Sequence, residues 1–281
     1  MLQDAGSLMY EGNRSTDDSP AVALMRAAGA IPLLVTNVPE LCIWGDTHNL
    51  LYGTTVNPHD TRRGPGGSSG GEGSLLASAG SLIGLGTDMV GGVRIPAAYC
   101  GVFSHKPTSE LPDALSMWYK VSVAKEPKLF DLEDAHVFTE LLLAFTEGAR
   151  HTVPMVIATT TKASYRFRNT QEAEAFLAEV DVVRDRLEET LGEDGVLILP
   201  AATKTAPYHR QDIYFNESPE MTALFSILKM PATACPVMKS ANGLPLAVQV
   251  VAKRGNDRLC LAVAREIERQ FGGWIQPWVR N

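Results

Sequence analysis

Residues 66–108 read GGSSGGEGSLLASAGSLIGLGTDMVGGVRIPAAYCGVFSHKPT, and two glycine-rich elements within them decide the fold. In the first, Gly64, Gly66, Gly67, Gly70, Gly71 and Gly73 surround Ser68 and Ser69. Glycine at that density lets backbone amides turn inward at dihedrals other residues avoid and approach a ligand closely. The Ala- and Leu-rich run over 74–81 predicts a helix, starting between 70 and 74. Its N-terminus would face the loop and favour an anion or a developing oxyanion. A pair of serines among glycines is by itself more often a plain turn. The second element, 88–94, adds another run of closely spaced amides and makes the pair a candidate site.

The spacing of the two elements resembles the signature of the amidase family, serine hydrolases that cleave carboxamides with a serine, a second serine and a lysine. The pattern G-[ST]-D-x-G-G-S-x-R-x-P falls on GTDMVGGVRIP, residues 86–96, and puts Gly92 where the nucleophilic serine is expected. The resemblance implies that Ser68 is the bridging serine, relaying a proton across a cis peptide, with Ser69 its neighbour. It implies that Met89, Val90, Gly91 and Gly92 form the oxyanion hole. Asp88 and Arg94 then flank and support this turn as a buried ion pair with no chemical step of their own. No other serine or cysteine lies between 82 and 99, so a shifted alignment restores no nucleophile. The family's lysine lies on a strand upstream of the serine loop, yet 1–67 hold no lysine. The first, Lys106, stands in the HKPT run past the site, on the wrong side of the loop to act as general base.

Working outward, Ser19 reads as the N-cap and Pro20 as N1 of a helix ended by Gly29, followed by an apolar strand over 31–35. The turn-forming run VNPHDT, 56–61, precedes the glycine loop. Downstream, Asn169 and Glu172 suit a capping box. The helix after it carries Ala173, Phe176, Leu177, Val180, Val183, Leu187 and Leu191 at helical spacing, a core stripe. Strands are expected over 83–85, 196–199 and 246–251, and a last helix runs from Asn256 with Leu259, Val263, Ile267 and Phe271 on one face. The expected class is α/β, an amidase-signature fold with a mixed central sheet flanked by helices, incomplete here. The C-terminal pieces resemble the fatty-acid amide hydrolases within the family, nearest the second animal type.

The resemblance covers nearly every residue as one domain, 1–281, but without the N-terminal lysine strand and an internal segment after about residue 108. Residues 114–120 resemble a much later region of relatives. An incomplete sheet exposes apolar edges and implies an oligomer, homo- or hetero-. A net charge of −7 with 20% charged residues excludes nucleic acid or an anionic membrane as electrostatic partner. Cys42, Cys100, Cys235 and Cys260 lack ligand spacing and read as reduced core thiols, and His48 with His59 is too loose for a metal site. No metal or cofactor is expected. No spanning segment is found, since Arg26, Gly29 and Pro32 break the best apolar run. The expected location is cytoplasmic, or membrane-associated, and an N-terminal membrane segment such as some relatives carry would be lost with the lysine strand. The leading expectation is a fatty-acid-amide-hydrolase-like chain that hydrolyses nothing, a pseudoenzyme or truncated product, whose ligand is a lipid amide or other small carboxamide. The alternatives are a weakly active amidase using Ser68 or Ser69, and an interaction module that binds another chain through its incomplete sheet.

Overall fold

The computed structural model describes residues 1–109, 151–152, 170–211 and 220–278, with the side chains of 170–173 set aside. Local signals start the chain. Ser19 accepts a hydrogen bond from the Val22 N–H, and Pro20, with no N–H to satisfy, opens α1 (Pro20–Ala27). A short antiparallel hairpin, β1 (His48–Asn49) and β2 (Gly53–Thr54), follows. The glycine loop feeds α2 (Gly70–Ala77), which starts at the early edge of the expected window, and the second element feeds α3 (Arg94–Cys100).

The core is a four-stranded sheet flanked by helices. β3 (Ser104–Lys106) comes first, then α4 (Thr170–Leu191), β4 (Val196–Pro200), α5 (Glu220–Ile227), β5 (Ala232–Lys239), β6 (Pro245–Ala252) and α6 (Asp257–Phe271). The strand order is β3-β5-β6-β4, and each described pairing is antiparallel. Successive strand residues face opposite sides, so β5 and β6 bury both faces. Ala234 packs with Ala97, Ala98 and Cys100 of α3, and Ala232 and Val251 pack with Phe225, Leu228 and Met230. On the other side Cys235, Val250 and Ala252 meet Cys260, Ala264 and Ile267 of α6. The helix that starts after Asn256 stops at Gly272, whose φ of +89° takes the left-handed cap that costs other residues most. Phe271, expected on its apolar face, is exposed.

Two expected strands do not form. Residues 31–35 and 83–85 lie outside any strand, and their apolar side chains stand in water. A strand exists through its ladder, and no described strand runs beside either stretch. The stripe on α4 is half-buried at Val180, Leu187 and Leu191, which pack toward Phe225, Leu228 and Met230, while Phe176, Leu177 and Val183 are exposed. Asn169, residues 114–120 and the side chains of Glu172 and Ala173 lie outside the described residues. Three cysteines are buried free thiols, but Cys42 is exposed, because its turn lies at the surface with φ +59°. Among the described residues no helix is long and apolar enough to cross a membrane.

Candidate active site

The loop that carries the serines is fastened from below. The buried Asn57 amide donates to the carbonyls of Tyr99 (2.9 Å) and Gly64 (3.2 Å), tying the 57–64 turn to α3. Thr47 Oγ1 donates to the Gly66 carbonyl at 2.8 Å. α2 lies so close to the 36–37 backbone that a Cβ at Gly71 would overlap the Asn37 carbonyl, which the Gly71 N–H donates to. The glycines of this helix are therefore used for close approach as well as for turning. Arg63, over the Tyr208 ring at 4.0 Å and donating to the Ala206 carbonyl, anchors 206–208 on the same loop.

The structure brings the two glycine-rich elements together. The Ser69 N–H donates to the Gly92 carbonyl at 3.0 Å, and the Ser69 hydroxyl is engaged by Thr87, accepting its N–H at 3.1 Å and donating to its carbonyl at 3.4 Å. The Gly67–Ser68 peptide bond is cis. A Cβ placed on Gly92 would stand 3.1 Å from Ser68 Oγ and would overlap the Thr87 carbonyl oxygen. The Ser68 hydroxyl makes no hydrogen bond to a described residue. Of the four amides at 89–92, Gly91 donates to Asp88 Oδ1 at 2.7 Å, while those of Met89, Val90 and Gly92 find no acceptor among the described residues. The arrangement sets amide donors beside two serine hydroxyls and the N-terminus of α2, a set suited to a carbonyl oxygen.

Asp88 and Arg94 form the foundation of that turn. Arg94 Nε meets Asp88 Oδ2 at 2.8 Å and its Nη2 meets Oδ1 at 3.0 Å, with Arg94 fully buried. Burial pushes the Asp88 carboxyl up, but the hydrogen bonds and charge of Arg94 outweigh it and hold it below the ordinary carboxylate range. The remaining guanidinium donors go to Gln249 Oε1 (3.0 Å), the Thr222 carbonyl (2.8 Å) and Ser226 Oγ (2.7 Å). Thr222 Oγ1 in turn donates to the Val90 carbonyl at 2.6 Å. Sequence reasoning misses these partners, which come from 128 to 155 positions away. One signal points to them: Gln249 interrupts the apolar run LAVQVV, and a buried amide needs partners.

Lys106 lies on β3 with its Nζ donating to the Pro107 carbonyl at 2.9 Å. Burial, then the Arg94 charge, pulls it down to about 8. A lysine lowered by folding binds fewer protons folded than unfolded. Its penalty is therefore full below about pH 8 and fades as pH climbs toward the ordinary lysine value. Lys106→Met is thus expected to melt higher than the parent chain at pH 7, with the gap closing toward pH 10. A gap that stays constant across that range would show that Lys106 carries no folding penalty. Among the described residues no three His, Cys, Asp or Glu side chains gather as a metal site, and His48 and His59 stay apart, His59 bound to the Cys100 carbonyl and His48 to Thr54.

Known proteins resemble this chain along most of its length. A family model described as Amidase matches residues 1–125 and 110–261. Fatty-acid amide hydrolase 2-A of Danio rerio is 31% identical, covering 99% of this chain and 73% of that protein. The alignment spans 389 positions against 281 residues, so stretches of that relative have no counterpart here. Fatty-acid amide hydrolase 2 of Homo sapiens is 28% identical, over 92% of this chain and 70% of that protein. Among solved structures, 6-aminohexanoate cyclic dimer hydrolase complexed with substrate superposes with a TM-score of 0.74 at 22% identity, covering 100% of this chain and 84% of that one. A solved fatty acid amide hydrolase gives 0.69 at 17%, covering 99% of this chain and 71% of that one. These two likenesses concern the fold.

Proposed function

The chain belongs to the amidase family, and on that premise we propose that it binds a lipid amide or other small carboxamide without hydrolysing it. The observation that carries this reading is the position of Gly92. A side chain there would begin 3.1 Å from Ser68 Oγ, within reach of a relay serine, and glycine offers no atom to attack a carbonyl. A bound carbonyl oxygen would accept from the amides of Met89, Val90 and Gly92, while that of Gly91 stays with Asp88. With no oxygen at 92, no bond forms to the carbonyl carbon and the amide nitrogen keeps its acyl group. An internal segment lost after about residue 108 belongs to the same reading, supported by a family model that matches two overlapping stretches.

Ser68 and Ser69 do not replace the nucleophile in this proposal. The Ser69 hydroxyl is held by the Thr87 backbone, and no described base accepts the Ser68 proton. Calorimetric titration with a long-chain primary amide, run beside an assay for released ammonia, tests the reading. Saturable binding without ammonia release is expected, with affinity lowered by Val90→Pro, which removes one amide donor. Absence of binding, or release of ammonia that tracks the amount of chain, would refute it.

A further inference from the structure

We infer that this chain pairs with a second copy of itself through the two apolar runs 31–35 and 82–85, an interface independent of the proposed function. Ile31, Leu33, Leu34, Leu82 and Ile83 are 81, 66, 53, 103 and 63% exposed, and Val35 and Leu85 are exposed too. Neither run makes a backbone–backbone hydrogen bond among the described residues, and the Ile83 carbonyl takes only the nearby Ser81 hydroxyl. Both therefore present open N–H and C=O groups, the template onto which another strand adds. They form one patch: Glu72 accepts the Thr36 hydroxyl at 2.9 Å with Oε2, while its Oε1 lies directly against Gly84.

Area and charge select the occupant. The two runs leave roughly 800 Å² of apolar surface in water, above the 300–600 Å² common on a monomer and equal to one partner's share of a standard interface. Residues 30–37 and 79–87 carry no charge, whereas the chain as a whole carries −7. Two copies repel each other elsewhere, whereas here the charge between the runs is the single Glu72 carboxylate, half-buried and held by Thr36. Asp17 and Asp18 precede the first run against a single Arg26, which disfavours an anionic lipid surface. A twofold axis through the patch would set 31–35 of one copy antiparallel to 31–35 of the other. Pro32, lacking an N–H, confines that ladder to the edge, and the side chains of 82–85 close over it.

Sedimentation of the full chain over a thousandfold concentration range tests this. A discrete monomer–dimer equilibrium is expected, and Leu33→Asp and Leu82→Asp should each weaken it by at least about 100-fold by placing a charge in the interface. Both side chains face water in the monomer, so melting temperatures read at dilutions where the parent chain is monomeric should stay unchanged. Hydrogen exchange of the unsubstituted chain gives a second reading that needs no variant: amides in 31–35 and 82–85 should be protected at high concentration and exchange freely on dilution. A monomer at every concentration, a dimer indifferent to both substitutions, or binding to phosphatidylcholine vesicles with no dimer would each overturn the inference.

Discussion

Incubated with a fluorophosphonate probe, the chain is expected to remain unlabelled, and hydrolysis of a lipid amide to stay at background. Removing the nucleophile of a comparable serine hydrolase costs about six decades in kcat, which places any residual turnover below ordinary detection. Geometry extends the expectation to Gly92→Ser. The new Cβ would overlap the Thr87 carbonyl, so the 87–92 turn must shift before the hydroxyl can sit beside Ser68 Oγ. Even then no described base takes the proton from Ser68, and a serine hydroxyl without a base is a poor nucleophile at neutral pH. Gly92→Ser alone should therefore stay unlabelled, and labelling should appear only when a relative's lysine strand and internal segment are fused to that variant. Robust hydrolysis by the unsubstituted chain, abolished by Ser68→Ala, would show that Ser68 attacks and that the proposed function is wrong.

The parts of this site legible in the sequence are those whose physics is local. Ser19–Pro20 opens a helix by capping and by φ restriction, both settled within four residues. The near-continuous apolar run of β6 reads correctly as a buried strand because helices lie against both of its faces. The glycine elements fall side by side since a close turn needs only its own small residues. Apolar content alone misleads at 31–35 and 83–85, where the composition of a buried strand is present without a neighbouring ladder. The support of the turn is equally hidden. Thr222, Ser226 and Gln249 acquire their meaning only when the sheet brings α5 and β6 under Arg94.

Arg94→Met is expected to cost about 3–5 kcal/mol, or roughly 10 °C in melting temperature. The methionine fills much of the volume but leaves the Asp88 carboxylate buried without a cation, and Gln249, Ser226 and the Thr222 carbonyl each lose a donor. The pH dependence separates this cause from a packing defect. In the unsubstituted chain Asp88 titrates below its ordinary value, so it contributes stability at neutral pH that is lost as pH falls through the folded value. In Arg94→Met the lone buried carboxyl is raised instead, and acidification neutralises it and removes its burial cost. The difference between the two chains should thus shrink as pH drops from 7 toward and below the ordinary carboxylate range. Asp88→Asn combined with Arg94→Met should be less damaging than the sum of the single changes, because the orphaned charge is then absent. Lipid-amide binding should weaken in Arg94→Met in parallel, since the Gly91 N–H and the Val90 carbonyl hang from Asp88 and Thr222 on the same network. A loss under about 1 kcal/mol, or one independent of pH, would mean that the turn is held by its backbone alone.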